Sequence, residues 1–330
     1  MTDMTIPVWG WVLMGLGLLG FAGMVGLSIH RNRGVHRSLF ASPYILWIAL
    51  FTILPVLLIG YYALTDSAGH WTLDNFRTFW DSNFIARETA RAAMGDEMAN
   101  MIFPRGTVNI DTLIYSLWMA FLCTAICLLM GYPAALFMAD RKMKLGSTLV
   151  VLFIIPMWMN FLLRTIAWMS LLEDTGLINA FLEWIGVGHV QLMYNQQAVL
   201  LGMVYNFLPF MVFPIYTSLN KMDPKLSEAA QDLGCNDWKT LTKVIMPLSI
   251  PGIISGITMV FMPSVTTFFI PRVLGGGTTQ MFGDLIEHTF LVAGDWNVGS
   301  ALSLVMMILI LISLSILRMA DPNGEGGGIA

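Results

Sequence analysis

The sequence predicts an all-α integral membrane protein, and three observations carry that prediction. Of its 330 residues 56% are hydrophobic and 12% are charged, whereas a soluble domain carries about 25% charged residues. Apolar runs long enough to cross about 30 Å of hydrocarbon, which takes roughly 20 helical residues, recur along the chain. Lys and Arg gather in alternate loops between those runs, as expected where cytoplasmic loops are positive. Mean hydropathy is +0.71, and 25 Met and 11 Trp suit a bilayer partner with aromatic interface belts. The net charge of −4 leaves no basic footprint for nucleic acid.

Seven spans are expected. The first covers residues 9–29, and Arg31, Arg33 and Arg37 follow it. A secretory signal places its positive charge before the apolar run, so this order reads as a retained helix with its N-terminus outside. Five glycines from Gly15 to Gly26 suit close packing on a neighbouring helix; a loosely attached peripheral anchor fits the same residues. The second span is 43–63. A long polar segment, 65–111, follows, with helix expected over 85–101. Then come spans at 112–138, at 146–172 with an interruption at Pro156, at 198–219 with Pro209 and Pro214, at 251–271 with Pro263, and at 298–317. The segment 173–195 holds no Lys or Arg, and Gly275, Gly276 and Gly277 mark a turn in the loop 272–297. A Gly-rich tail, 320–330, ends the chain.

Charge sets the orientation. Arg31, Arg33, Arg37, Arg141, Lys142, Lys144, Lys221, Lys225, Lys239, Lys243 and Arg318 make eleven of the 17 basic residues. All fall in loops on one side, which is expected to be the cytoplasm.

The most informative loop is 220–252, NKMDPKLSEAAQDLGCNDWKTLTKVIMPLSIPG. Asp223 is a good N-cap and Pro224 suits the first helical position. Helix is expected over 225–233, ended by Gly234 in a left-handed conformation. Asn236 or Asp237 can cap a second helix running to Met246, with Pro247 stopping it.

Glu228-Ala229-Ala230, then Gly234, then Val244-Ile245-Met246-Pro247 resembles the EAA loop of ABC importer permeases, with Val244 and Met246 where that family favours Ile and Leu. The resemblance covers residues 42–318. Pro43-Tyr44 with Trp47, LLRTIAW at 162–168, Tyr194-Asn195 and FFIPRVLGGG at 268–277 are similar to the spermidine/putrescine-type (polyamine) permeases, those of the B type in particular. The resemblance implies a type I ABC importer permease fold of six core transmembrane helices. The helix at 9–29 is then an addition to it. The implied domains are an N-terminal helix and basic linker over 1–41, a permease domain over 42–319 and a flexible tail over 320–330.

The resemblance also implies the partners: two copies of an ABC ATPase, a second homologous permease and an extracytoplasmic substrate-binding protein. The implied location is the bacterial inner membrane, with the EAA loop cytoplasmic. Leu226, Glu228, Ala229, Ala230, Asp232, Gly234 and Pro247 are the implied ATPase-docking residues. Glu228 either pairs with a basic residue of the ATPase or caps and solvates its own helix.

No catalytic constellation is present. The five His residues are scattered, without an HExxH or similar pairing. Cys123 and Cys127 sit four apart in an apolar run with no His or carboxylate beside them, which reads as packing; Cys235 reads as a free thiol in the cytosol. Gly275 to Thr279 lacks the Lys-Ser/Thr ending of a phosphate loop. The chain is therefore expected to be no enzyme and to hold no metal or cofactor, with ATP and Mg bound by the partner ATPase.

The translocation pathway is expected to involve Trp158, Arg164, Glu173, Asp174, Tyr205, Pro263, Thr267, Phe268, Asp284 and Glu287. Carboxylates and aromatic faces suit a flexible cation. Prolines inside spans free carbonyls that can line a cavity or simply kink a helix for packing. Arg164, about 18 residues from its span's cytoplasmic start and so roughly 27 Å along it, is expected near the outer face. Either it snorkels or pairs with Glu173 or Asp174, or it serves gating or receptor docking. The expected function is polyamine import by alternating access. The alternatives are a permease for an anion or amino-acid-like solute and, from other classes, a proton-driven carrier or a membrane enzyme.

Overall fold

The computed structural model describes Tyr44 and residues 47–140 and 146–320. The expected helix at 9–29, the basic linker after it, Arg141, Lys142 and Lys144, and the Gly-rich tail beyond Ala320 lie outside the described residues.

Among the described residues the fold is helical and contains no strand. In chain order come α1 (Leu54–Ala63), α2 (Asp74–Trp80), α3 (Phe84–Met94), α4 (Asp96–Ile102), α5 (Val108–Ala139), α6 (Gly146–Trp158), α7 (Phe161–Leu172) and α8 (Leu177–Trp184). They are followed by α9 (Gln196–Lys221), α10 (Pro224–Asp232), α11 (Asp237–Thr240), α12 (Met246–Leu248), α13 (Ile250–Thr266), α14 (Phe269–Leu274), α15 (Phe282–Leu291) and α16 (Trp296–Ala320).

Two π-helical turns, Ala49–Ile53 and Leu241–Ile245, lie just before Pro55 and Pro247. Proline lacks the N–H that would close the next α turn, and its ring crowds the carbonyl four residues back. Widening the preceding turn relieves both problems.

Among the described residues three helices, α5, α9 and α16, are long and apolar enough to cross a bilayer unbroken. The expected span 146–172 is broken instead, and a second bend separates the helix of the loop from the span that follows it. Thr148–Trp158 and Phe161–Trp184 meet at 94°, and Asp237–Leu248 and Ile250–Thr266 meet at 63°. The first break falls at Met159 and Asn160 and not at the expected Pro156, which is accommodated inside α6. Asn160 restarts the chain by accepting a hydrogen bond from the Leu162 N–H at 2.8 Å. The expected span 251–271 is also shorter than its hydropathy suggests. α13 ends at Thr266, Thr267 is extended, and α14 begins a new direction.

The helix expected over 85–101 is two, α3 and α4, split by Gly95 at φ +86°. Asn75 ties this polar segment to the bundle by donating to the Ala63 and Thr65 carbonyls at 3.0 and 2.8 Å. Arg87 and Asp81 form a buried ion pair beneath it.

α9 is the centre of the molecule, packed along α5 and α13. Met119, Cys123, Cys127, Met203, Met211 and Ile215 fill the space between them. A second core, with Phe79, Leu113, Ala120, Phe282, Val298 and Leu302, joins α16 to α2, α5 and α15. Gly256 lets α13 approach α9: a Cβ there would stand 2.7 Å from Met211 Sδ and 3.1 Å from its carbonyl oxygen. Outward-facing side chains such as Leu57, Leu129, Leu152 and Ile312 are exposed, as expected where lipid replaces water.

Candidate coupling loop and transport pathway

The loop after α9 is built from local signals. Asp223 Oδ1 accepts the Lys225 N–H at 3.0 Å and Pro224 opens α10. At the other end the Cys235 N–H reaches the Ala230 carbonyl at 3.0 Å and the Gly234 N–H reaches Gln231 at 2.9 Å. This is the Schellman arrangement, and Gly234 takes φ +86° to close it. Nothing lies within 4 Å of where a Gly234 Cβ would be, so the need for glycine is conformational. Asn236, of the two expected caps, is the one used: its Oδ1 accepts the Lys239 N–H at 2.9 Å. Gln231 Nε2 donates to Asp237 Oδ1 at 3.1 Å and locks the two helices together.

Pro247 does not stop the second helix as expected. The chain stays helical through Leu248, because the π turn ahead of Pro247 absorbs its missing bond, and it bends after Ser249. Ser249 is fully buried and pairs with the Tyr132 hydroxyl at 3.1 Å. That contact anchors the elbow to α5.

The loop presents an apolar surface. Leu226, Leu233 and Trp238 are exposed, Leu233 by 87% and Trp238 by 70%. Glu228, Ala229 and Asp232 are exposed beside them and Ala230 is half-buried. Among the described residues Glu228 makes no ion pair and caps no helix. A cavity of about 770 Å³ lies at the base of the loop, between α9 and α13. Thr217, Ser218, Lys221, Asp223 and Ser255 supply its polar lining. None of these was expected in the pathway from sequence, although small hydroxyl residues in two consecutive spans are a visible signal.

The expected pathway residues fall into separate groups. Arg164 is buried, and its Nη1 donates to the Pro156 carbonyl at 2.9 Å across the 94° break. It pairs with neither Glu173 nor Asp174. The depth expected for it assumed a straight helix, and the bend removes that assumption. Trp158, at the end of α6, is 87% exposed. Tyr205 on α9 is exposed and meets Trp168 with ring centroids 5.1 Å apart. Glu173 and Asp174 are exposed past the end of α7, where Asp174 lies 3.8 Å from His189.

The second group lies around the end of α13. Pro263 is half-buried within that helix and Thr267 is buried at the break. Phe268 and Glu287, with Thr266, line a cavity of about 430 Å³ against α16. Arg272 Nη1 is 2.5 Å from Glu287 Oε1. Burial raises the Asp284 carboxyl above the usual carboxylate range, and the nearby Glu287 adds to the effect. Arg272 was not singled out in the sequence; the ion pair depends on two helices meeting, which no local spacing reports.

Residues 131–323 match the family described as binding-protein-dependent transport system inner membrane component. The chain is 34% identical over 294 residues to the spermidine/putrescine transport system permease protein PotB of Salmonella typhimurium strain SL1344, covering 87% of this chain and 94% of that protein. Identity to the protein of the same name in Escherichia coli K12 is 34% over 291 residues, covering 84% and 97%. In structure the chain is similar to part of a bacterial ABC transporter involved in the import of the acidic polysaccharide alginate, with TM-score 0.68 and 16% identity over 90% of this chain and 97% of that one. At that identity the likeness shows the fold alone, the type I ABC importer permease fold. The chain is thus a multi-pass membrane permease and no enzyme, and it belongs to the family of binding-protein-dependent transport system inner membrane components.

Proposed function

We propose that this chain is the permease subunit of an ATP-driven importer for spermidine or putrescine. The observation that carries the reading is 34% identity across nearly the whole length of permeases named for those two cargoes. The proposed assembly has two copies of an ATPase binding ATP and Mg, a second homologous permease, and a binding protein outside. The permease domain spans 42–319, preceded by a further helix and basic linker over 1–41 whose N-terminus is outside.

The capped helices α10 and α11 dock on the ATPase from the cytoplasm. Leu226, Ala229 and Ala230 enter its groove, Glu228 pairs with a basic residue there, and Asp232, Gly234 and Pro247 hold the loop's shape. A helix capped at both ends transmits a push that a floppy loop would absorb. Closure of the ATPase dimer therefore moves the elbow, and the Tyr132–Ser249 contact carries that movement to α5. Access then switches from outside to inside.

The test is uptake of labelled spermidine and putrescine by proteoliposomes holding the complete transporter, with ATP inside and the binding protein outside. ATP-dependent uptake is expected. Uptake that persists without any ATPase subunit would instead make the chain a carrier of another kind.

A further inference from the structure

We propose that Glu287 is the receiving carboxylate for an aliphatic diamine, and that Arg272 occupies it as an internal substitute cation until cargo arrives. The inference rests on the polyamine reading above. Arg272 Nη1 stands 2.5 Å from Glu287 Oε1, and the two side chains are unequally placed: Arg272 is 53% exposed and Glu287 18%. A cation half in water leaves such a pair at a cost of roughly two- to fivefold in the equilibrium. The carboxylate cannot follow it into water. It faces a cavity of about 430 Å³ shared with Phe268, Ile286, Met306 and Met307. A largely buried carboxylate stripped of its partner is strongly disfavoured, so Arg272 gives way to another cation and not to an empty site.

The cavity supplies the rest of what an alkylammonium chain needs. Phe268 offers a half-exposed ring for a cation, and the Met side chains of α16 offer an apolar wall for methylenes. Asp284 lies one helical turn before Glu287. Residues three apart on a helix hold their Cβ atoms about 5–6 Å apart, close to the reach of a three- or four-methylene spacer between two ammonium groups. Asp284 does not line the cavity itself; it stands one turn from Glu287, within reach of the second ammonium. Phe268 and Arg272 also flank and belong to α14, the six-residue helix after the break at Thr267. Displacing Arg272 removes the ion pair that ties α14 to α15, so arrival of cargo is felt beside the break.

The experiment measures equilibrium binding of radiolabelled 1,4-diaminobutane to the assembled transporter in lipid nanodiscs, without the binding protein. The variants are Arg272→Gln, Glu287→Gln and Glu287→Asp, each checked for assembly by elution volume. Arg272→Gln is expected to bind roughly two- to fivefold more tightly. Glu287→Gln is expected to bind about tenfold more weakly or worse, with Glu287→Asp between it and the wild type. If the pair were only a structural staple, both Gln variants would change binding in the same direction, and that result overturns the inference. Wild-type uptake in the proteoliposome assay with unaltered binding by Glu287→Gln overturns this inference alone. Wild-type protein that takes up no diamine removes the cargo reading and this inference with it.

Discussion

The ring of Tyr194 lies directly over Gly276, joining the loop before α9 to the turn after α14. A Cβ on Gly276 would collide with the ring, whose Cγ would be 3.0 Å away. Both residues have positive φ, Tyr194 at 60° and Gly276 at 55°. The Tyr194 N–H donates to the Leu274 carbonyl at 3.0 Å, and the Thr278 hydroxyl donates to the Tyr194 carbonyl at 2.8 Å. The backbone bonds hold the tyrosine in a conformation that non-glycine residues seldom adopt.

Gly276→Ala is therefore expected to destabilise the transporter by about 1–3 kcal/mol, through the clash and the left-handed backbone together. Thermal unfolding of the purified complex measures it. Tyr194→Ala removes the ring but not the backbone strain, so the double variant should lose less stability than the two single losses added. Strict additivity would mean that the ring and Gly276 do not interact.

Gly234→Val acts elsewhere and by backbone alone. The open space around Gly234 excludes a clash, and a left-handed β-branched residue costs about 1–2 kcal/mol. The Schellman turn should open, and substrate-stimulated ATP hydrolysis and uptake should fall together. Gly234→Asn tolerates the conformation better and should keep most of the coupling. Full stimulation in the Val variant would show that the loop's stiffness is not needed.

Arg164→Met deletes the donor that bridges the break between α6 and α7. Losing a charged hydrogen bond to a part-buried carbonyl is expected to cost about 1.5–3 kcal/mol. Thermal stability of the complex should drop accordingly, and Arg164→Lys should recover only part of it, because a single ammonium does not reproduce the planar guanidinium. An unchanged melting temperature in the Met variant would show that the bond does not hold the bend.

Asp284 gives a pH dependence of known sign. Its carboxyl titrates above the usual carboxylate range in the folded protein, chiefly through burial. The native state then binds more protons than the unfolded state, so stability falls as pH rises from the ordinary carboxylate pKa through the raised folded one. Above that window the penalty for holding the charge is complete. Asp284→Asn should be more stable than the wild type at neutral pH, and the difference should shrink as the medium is acidified. Melting temperatures across mildly acidic to neutral pH test this; a constant difference would place the effect elsewhere.

How much of this was legible depends on the range of each signal. Asp223, Pro224, Gly234 and Asn236 were read correctly because a cap acts on backbone groups within one turn of itself. The apolar runs at 112–138 and 198–219 were found because hydropathy is additive along the chain. Pro156 misled, since proline in a span kinks or interrupts it only when the surrounding helices leave room. Pro247 misled for a related reason: a π turn, set by the backbone ahead of it, let the helix pass.

The amino-acid sequence alone determined the helical membrane architecture and the two capped helices of the loop 220–252, which follow from local hydrogen-bonding chemistry and summed hydropathy, and the family, which follows from the spacing of Glu228-Ala229-Ala230, Gly234 and Pro247. Only the tertiary structure decided where the spans break, that Arg164 bonds to Pro156 and not to an acid, that Tyr194 sits on Gly276, and that Arg272 occupies Glu287. Each of these is an angle or a contact between segments, and its energy depends on what lies opposite in space, a quantity that one-dimensional spacing does not contain.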